Sequence, residues 1–404
     1  MSDYHLKKMY SLIQTPNDLW RLKYEDELAA SLGGGRVITY AAGRMAFYSI
    51  LKTLNLKEND EIILTSFTCS VMVNAIKRIG ATIIFSDIDP ETLGSSPGEI
   101  LKLITPQTKV IVAQHSFGCP CEIDKIQELA KRRNIFLIED CALSFLSKYK
   151  GITLGNWGDA AIFSSDHSKP LSTLIGGFVY TNINHLYEKL KVAHESIGDI
   201  PQSQQYNIYN QIKFESKYYK PEKYRFFRLY QLFEGIYKKI IKSRNAPTFL
   251  INDSVSVPAK DIYYPYPSKF PSFLSYLGLL ELGEYIKSIE HRRELLNQLI
   301  DVVSIKHRIP NCYANDDNYI IPLRFAFCSD SEKLHNKIAK FIDKEWFWFK
   351  KPIEATSEDM EAYGYKLGSC PVSEGVGRII INIPCIYYKD DGMIKNLKDA
   401  LITE

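Results

Sequence analysis

The 404-residue sequence lacks any uninterrupted apolar run close to the roughly 20 residues that a membrane-spanning helix needs. Its first ten residues, MSDYHLKKMY, contain no apolar stretch of the kind found in secretory signal peptides. The formal net charge of +3 is too small to indicate a nucleic-acid-binding surface. These absences lead us to expect a cytoplasmic protein that does not bind nucleic acid.

The sequence also contains no C-x-x-C pair, and its eight cysteines are scattered along the chain. That distribution argues against a zinc site, so we expect reduced, mostly buried thiols and no metal. A composition of 45% hydrophobic and 24% charged residues suffices for a sizeable core. The length suggests two or three domains of ~150 residues each. The cysteines are Cys69, Cys119, Cys121, Cys141, Cys312, Cys328, Cys370 and Cys385.

Six apolar, β-branched runs alternate with helix-like stretches between about Arg36 and Asn182. Runs that are apolar throughout predict strands buried on both faces. Their alternation with helices predicts a mostly parallel, doubly wound sheet, whose ligands bind at the carboxyl ends of the strands. The runs are EIILTS at 61–66, TIIFSDI at 82–88, KVIVAQH at 109–115, IFLIED at 135–140, AAIFSS at 160–165 and GGFVYT at 176–181.

The remaining sequence has a different composition and pattern. Residues 204–245 are rich in Tyr, Phe, Lys and Arg, and the basic part 213–244 holds ten Lys or Arg against three Asp or Glu. A helical pattern follows at 273–303, and the C-terminal part mixes short strands with helices. We therefore expect a large α/β domain at 1–255 and a smaller α+β domain at 256–404.

A single lysine, Lys169, lies in a polar loop between two predicted strands, in FSSDHSKPLSTLIGGFVYT. Small hydroxyl residues around it can orient an amine or hold a phosphate, and Gly176 with Gly177 permits close backbone approach. A partly desolvated lysine at this edge of a sheet can form a Schiff base with a carbonyl. The alternative is a solvated loop lysine without a chemical role.

Two further stretches carry candidate site residues. Asp140, at the end of the FLIED run, is either a helix N-cap or the carboxylate that pairs with the ring nitrogen of pyridoxal phosphate. In TYAAGRMAFYSIL a small turn at Gly43 leads into a helix, whose N-terminus can bind phosphate together with Arg44. The alternative there is an ordinary helix start with a surface arginine. Together with Lys169, and in this order on one parallel sheet, these residues describe a cofactor site.

Four longer stretches carry a resemblance to a known family: LNLKENDEIILTSFTCSVMVNAIKRIGATIIFSDIDPETL, LITPQTKVIVAQHSFGCPCEIDKIQELAKRRNIFLIEDCA, FSSDHSKPLSTLIGGFVYTN and CPVSEGVGRIIINIPC. The sequence resembles the DegT/DnrJ/EryC1/StrS aminotransferases over nearly its whole length. These are fold-type I pyridoxal-phosphate enzymes that act mostly on nucleotide-linked keto-sugars. The resemblance therefore implies that fold, with a smaller C-terminal α+β domain, and pyridoxal 5'-phosphate as the cofactor.

The resemblance also implies a role for each candidate residue. Lys169 would bind the cofactor covalently and move the proton of the reaction, and Asp140 would pair with the ring nitrogen. Ser164, Gly43 and Arg44 would hold the phosphate. Arg44 stands at a position where the family more often has Thr.

Several positions depart from the family's pattern. Cys69 stands where an aromatic residue commonly stacks on the ring, with Phe67 two residues away, and Leu143 replaces the usual Gln or His. FSSDHSKP replaces the family's FSFHPTKN, and YYPYPSKFPS stands where an N-Y-R motif is expected. We expect His167 and His115 to contact the substrate. Cofactor binding is therefore better supported than specificity for a nucleotide-linked sugar.

The resemblance implies an aminotransferase that moves an amino group from L-glutamate to a nucleotide-linked keto-sugar, in cell-surface polysaccharide or related amino-sugar biosynthesis. It also implies a homodimer with shared active sites, and we expect segment 262–276 to contribute across the interface. The departures leave open a different carbonyl substrate or a reaction other than transamination. A non-catalytic sensor is the third alternative, against which the joint presence of Lys169, Asp140 and Ser164 argues.

The basic segment 213–244 allows three interpretations. It could contact an anionic substrate, it could contact a membrane surface, or it could be a helical surface with solvated lysines. The last is the ordinary role of such a composition.

Overall fold

The computed structural model describes residues 1–218, 265–342, 348–354, 359–385 and 392–402. Most of the basic segment 213–244 lies outside the described residues. The expected domain boundary after residue 255 and the first three residues of segment 262–276 lie outside them too.

Strands and helices alternate through the first half of the described chain, as the sequence predicts. The strands are β1 Arg36–Tyr40, β2 Glu61–Thr65, β3 Thr68–Cys69, β4 Thr82–Ser86, β5 Thr108–Gln114, β6 Phe136–Asp140, β7 Lys148–Tyr149, β8 Ile152–Thr153, β9 Ala160–Ser164, β10 Gly177–Thr181, β11 Asn318–Tyr319, β12 Arg324–Cys328, β13 Ile353–Glu354 and β14 Ile380–Pro384. The helices are α1 Asp3–Gln14, α2 Asp18–Leu32, α3 Gly43–Thr53, α4 Ser70–Ile79, α5 Pro97–Leu103, α6 Ile123–Arg133, α7 Asn184–Glu195, α8 Gln202–Tyr218, α9 Ser272–Val303, α10 Glu332–Ile338, α11 Pro371–Ile379 and α12 Gly392–Ile402.

A seven-stranded sheet lies at the centre of the molecule, with strand order β1-β10-β9-β6-β5-β2-β4. Neighbouring strands from β9 to β4 pair in parallel, whereas β10 is antiparallel to both β1 and β9. All six predicted strands are present in this sheet, so the predicted α/β fold with a mostly parallel sheet is confirmed. The first strand, β1, was not predicted and pairs along the edge of β10.

The inner strands carry apolar side chains on both faces because helices cover both sides of the sheet. In β5, for example, Val110, Ile111 and Val112 are all buried. The covering helices end as their sequences indicate: Gly80 stops α4 with a φ of +87°, a left-handed conformation that glycine adopts without strain. Consequently the carboxyl ends of the parallel strands converge on one edge of the sheet.

The C-terminal part contains a second apolar core around the antiparallel pair β12–β14. Helix α9 joins this core to the first one, because its N-terminal half packs on the sheet side and its C-terminal half contributes Leu295, Leu299 and Val303 to the second. A single 32-residue helix therefore connects both parts of the molecule. None of the helices in the described ranges is both long enough and apolar enough to cross a membrane.

Glu139 in β6 fixes the connection that leads into β9. Its fully buried carboxylate accepts hydrogen bonds from the backbone N–H groups of Trp157 and Gly158 at 2.7 Å and of Gly155 at 2.8 Å. The fourth contact is His115 Nε2, at 3.1 Å. Successive residues of a strand face opposite sides, so Glu139 secures one face of β6 while Asp140 faces the other.

Helix packing can be tested with two glycines of α9. A Cβ at Gly278 would lie 2.7 Å from Tyr24 Cε2 and still closer to Cζ, whereas no atom lies within 4 Å of a Cβ at Gly283. We expect Gly278→Ala to lower the free energy of unfolding by about 1 to 3 kcal/mol because the buried ring cannot yield. Gly283→Ala should raise it by up to about 1 kcal/mol through helix propensity. Urea unfolding of both variants measures the two changes in the free energy of unfolding. Equal changes would contradict the close packing of Gly278 against Tyr24.

The role of Glu139 can be tested with Glu139→Gln. An amide would turn an N–H group toward backbone N–H donors, so we expect a loss of about 2 to 4 kcal/mol in the free energy of unfolding. The matched control is Glu128→Gln on α6, where an exposed carboxylate pairs with Arg132 and the change in the free energy of unfolding should stay within about 0.5 kcal/mol. Chemical denaturation of the two variants measures both values. A Glu139→Gln protein as stable as the control would show that the four contacts do not hold this connection.

Candidate active site

Asp140 ends β6 at the edge where the parallel strands converge. The residue is 6% exposed, and Oδ1 accepts a hydrogen bond from Ala142 N at 3.0 Å. Burial raises the pKa of its carboxyl above the ordinary value, and the Ala142 N–H and the charges of Lys169 and His115 offset part of that rise. Asp140 is therefore a desolvated acidic group whose nearby cationic partner is Lys169.

Lys169 lies in the loop between β9 and β10, as predicted. Its backbone N–H donates to Asp166 O at 3.0 Å, and the loop is closed by Thr173, whose hydroxyl contacts Ser165 Oγ at 2.7 Å. Nζ lies 5.2 Å from the centre of the Trp348 ring. In the described part of the chain this amine makes no hydrogen bond and no ion pair, so it is available for chemistry.

The start of α3 lies against the ends of β9 and β10. A Cβ at Gly43 would lie 3.0 Å from the Cβ of Ser164, and a Cβ at Gly177 would collide with the backbone of Gly43. The N-cap residue Ala42 provides no side-chain hydrogen bond to the helix. Gly43, Ser164 and the first turn of α3 are thus brought together, with an uncapped helix N-terminus of the kind that binds anions.

Arg44 follows Gly43 on this turn, and its positive charge lowers the pKa of two groups of the same site, Asp166 and Cys69. Burial would raise the pKa of the Asp166 carboxyl, but the hydrogen bond from His167 and the charges of His167, Lys169 and Arg44 hold it below the ordinary value. Burial likewise raises the pKa of the Cys69 thiol, and the Val71 N–H, Lys169 and Arg44 only partly offset it.

Cys69, Phe67 and Leu143 lie on the same side of the site. Cys69 is the N-cap residue of α4, and Phe67, fully buried with a φ of +70°, packs against Phe349 with ring centres 5.2 Å apart. Leu143 is buried in the same apolar cluster. Phe67 and Leu143 thus give the site an apolar surface, beside which Cys69 is partly exposed.

The two histidines occupy different environments. His167 is exposed, and its Nδ1 lies 2.5 Å from Asp166 Oδ1; that hydrogen bond raises the pKa of the imidazole. His115 is completely buried, with Nδ1 accepting from Cys121 N at 3.2 Å and Nε2 facing Glu139. Burial and the use of both ring nitrogens are incompatible with a substrate contact at His115, which positions the sheet edge instead.

Four residues near Lys169 were missed by sequence reasoning: Asp166, Trp348, Arg324 and Asn382. Asp166 could have been found, because FSSDHSKP places a charge three residues before the lysine where the family has His. The other three come from the C-terminal part of the chain, and no local pattern links them to the lysine loop.

Comparison with known proteins shows what this chain is similar to. Residues 20–211 match the model of the DegT/DnrJ/EryC1/StrS aminotransferase family, and that range includes Gly43, Asp140 and Lys169. The chain is 42% identical over 167 residues to GDP-perosamine synthase of Escherichia coli O157:H7, which covers 41% of this chain and 46% of that protein. It is 33% identical over 159 residues to dTDP-4-dehydro-2,3,6-trideoxy-D-glucose 4-aminotransferase of Saccharopolyspora spinosa, covering 39% and 41%. The chain thus matches less than half the length of these relatives.

Solved structures share the fold along the whole chain. PseC of Helicobacter pylori, an aminotransferase involved in the biosynthesis of pseudoaminic acid, superposes with a TM-score of 0.72 at 17% identity, covering 100% of this chain and 96% of its own. DesV of S. venezuelae superposes with a TM-score of 0.72 at 19% identity, covering 97% and 92%. Residues 20–211 are thus similar to the DegT/DnrJ/EryC1/StrS aminotransferase family, and the chain shares the fold of these solved structures beyond that range.

Proposed function

We propose that this chain is a pyridoxal-phosphate-dependent aminotransferase that transfers an amino group from L-glutamate to a nucleotide-linked keto-sugar. The observation that carries the proposal is that a buried carboxylate, Asp140, lies within electrostatic reach of the Lys169 amine, which makes no hydrogen bond within the described ranges, at the ligand-binding edge of one sheet. Two relatives that match about two fifths of the chain, GDP-perosamine synthase and a dTDP-sugar 4-aminotransferase, support a sugar acceptor. A place in polysaccharide or amino-sugar biosynthesis follows from that acceptor.

The residues present fit the three functional parts of pyridoxal phosphate. The uncapped start of α3 at Gly43, with Arg44 and the Ser164 hydroxyl, suits the phosphate. Asp140 has a carboxylate desolvated enough to hold a proton on a ring nitrogen, and Lys169 offers the amine for the carbonyl. Each part of the cofactor thus has a residue of matching chemistry within one site.

Bound pyridoxal phosphate would supply a carbonyl that condenses with amines and a protonated ring that accepts electron density. Asp140 would keep the proton on the ring nitrogen, because an ionised carboxylate in a dry site binds a cationic N–H strongly. Lys169 Nζ, when not bound to the cofactor, would take up the proton that the amino-bearing carbon of the donor loses and would return it later in the reaction. Phe67 and Leu143 would exclude water from the ring side, since both side chains are buried.

His167 is the group that we propose for contact with the acceptor. It is exposed beside the phosphate-binding turn, and Asp166 favours its charged form. A cationic imidazole at this place would attract the diphosphate of a nucleotide-linked sugar.

Assembly and location are also part of the proposal. We propose a homodimer with shared sites, to which segment 262–276 contributes. The described residues of that segment already pack on their own chain beside α3: Ala41 N donates to Ser268 O at 3.0 Å and Tyr266 OH to Arg44 O at 3.3 Å. We propose a cytoplasmic location, which the eight free thiols support.

A second function is favoured by the wall of the site. Leu143 and Cys69 replace polar and aromatic groups that the family uses near the ring, so the same cofactor could serve another carbonyl substrate or a reaction other than transamination. Release of 2-oxoglutarate from L-glutamate in a single turnover would support transamination. A cofactor-loaded enzyme that releases none would favour this second function.

Lys169→Ala and Asp140→Asn should have different signatures. After incubation with pyridoxal phosphate and borohydride, mass spectrometry should find the cofactor on the peptide containing Lys169 in the wild-type protein and in a control, Lys131→Ala on exposed α6. Lys169→Ala should lose it. Asp140→Asn should keep the adduct and lose roughly 100-fold or more in turnover, because the ring nitrogen loses its ionised partner. A Lys169→Ala protein with a reducible adduct, or a fully active Asp140→Asn protein, would contradict the assignment.

A further inference from the structure

An aromatic side chain from a distant segment covers the lysine of the site. Trp348 begins the short described segment 348–354, and its ring centre lies 5.2 Å from Lys169 Nζ. The indole is half-buried and adjoins the apolar cluster that contains Phe67 and Phe349. It is therefore part of the site wall on the side supplied by the C-terminal part of the chain.

Two buried polar residues fix the position of this tryptophan. Asn382 Oδ1 accepts from Trp348 N at 3.2 Å, and Asn382 Nδ2 donates to Trp348 O. Arg324 Nη1 donates to Asn382 Oδ1 at 3.1 Å, and its guanidinium lies 4.6 Å from the same indole ring. Arg324 and Asn382 lie on the paired strands β12 and β14 and are both buried. The indole is thus held by the rigid core of the C-terminal part.

A cation above an indole ring is attracted by the negative face of the ring, whereas a neutral amine is not. The ring therefore favours Lys169 as an ammonium held at one place. The titratable and charged groups around the amine come from its own loop and from other elements. Asp166 and His167 lie on the loop, Asp140 ends β6, Cys69 lies at the start of α4, Arg44 lies on α3, and Arg324 of β12 lies against the same indole. Within the described ranges, the C-terminal part contacts Lys169 through the uncharged ring of Trp348, which the Arg324 guanidinium also contacts.

We propose that Trp348 is a positioning residue for Lys169, whose indole face holds the amine in place while the amine carries a proton, and that Asn382 and Arg324 orient the indole. The inference rests on the proposed function, in which Lys169 must wait as a proton carrier once it has left the cofactor. It links the C-terminal part of the chain to the reactivity of a residue on the large sheet. Removing the ring face should make Lys169 a more reactive but less well placed amine.

The test measures the amine itself, in protein freed of pyridoxal phosphate. Lys169 is methylated with formaldehyde and cyanoborohydride over a range of pH, and its modification is followed by mass spectrometry of the peptide that contains it. In Trp348→Leu we expect the pH midpoint of labelling to fall by about half a unit to one unit, or about 3- to 10-fold greater reactivity below the midpoint. If the substitution only made Lys169 more accessible to the reagent, the labelling rate at high pH would rise and the pH midpoint of labelling would not change.

Two further variants make the result specific. Phe349→Leu removes the neighbouring ring, which packs on Phe67 and Phe117, and should leave the Lys169 midpoint at its wild-type value. Trp348→Phe keeps a weaker aromatic face, so its pH midpoint of labelling should fall less than that of Trp348→Leu. If Trp348→Leu does not fold, this smaller fall in Trp348→Phe is the test. A midpoint that is the same in the wild type and both Trp348 variants would overturn the proposal. Because the measurement contains no cofactor, it can fail while the borohydride adduct on Lys169 persists, and the reverse also holds.

Discussion

The structure depends on a carboxylate and an ammonium held at one dry edge of a parallel sheet. Asp140 is buried at the end of β6 and Lys169 lies in the loop after β9, and each strand is fixed by parallel pairing with its neighbour. Burial of the carboxylate costs free energy unless a cation or hydrogen-bond donor offsets it. The structure supplies both, in the charge of Lys169 and the hydrogen bond from the Ala142 N–H, which offset part of the cost of burying the carboxylate.

The opposite face of β6 makes this edge rigid. Glu139 receives four donors, three of them from the connection that leads into β9, so the strand that carries the lysine loop is tied to the strand that carries Asp140. His115 belongs to this supporting layer as well, with both ring nitrogens used inside the protein. Two adjacent acidic residues in FLIED thus have separate tasks: Glu139 holds the backbone and Asp140 faces the site.

The C-terminal part of the chain reaches the same site from the other side. Helix α9 spans both cores, and strands β12 and β14 hold Trp348 over Lys169 through Arg324 and Asn382. Lys169 therefore lies close to residues of both parts of the molecule, although its own loop connects two strands of the large sheet. A change in the packing of the two parts would therefore alter the distance between the indole of Trp348 and Lys169 Nζ.

Much of this architecture could be predicted because it is written locally in the sequence. Apolar runs of six or seven residues correspond to the strands β2, β4, β5, β6, β9 and β10, since strands buried on both faces of a sheet need apolar side chains on both faces. Asp140 and Lys169 could be named because each follows such a run at the edge where strand ends meet.

The rest depends on contacts between residues far apart in the chain. His115 also follows a strand, but its contact with Glu139 depends on how the loop after that strand folds. The periodicity of apolar residues does not predict the fold of a loop. The position of Trp348 needs the pairing of β12 with β14 and the closure of the second core, so it could not be read from the sequence around Lys169. The antiparallel edge strand β1 directly follows three glycines and begins with a charged residue, Arg36, so it does not stand out as an apolar run.

The most direct measurement is the visible spectrum of the purified protein loaded with pyridoxal phosphate, recorded before and after addition of L-glutamate. The account predicts a visible band that borohydride removes, and that L-glutamate converts to the spectrum of the aminated cofactor with release of 2-oxoglutarate. A protein that binds pyridoxal phosphate without forming the band would contradict the role of Lys169. A band that does not respond to L-glutamate or to any other amino donor would contradict the central claim that the site performs transamination.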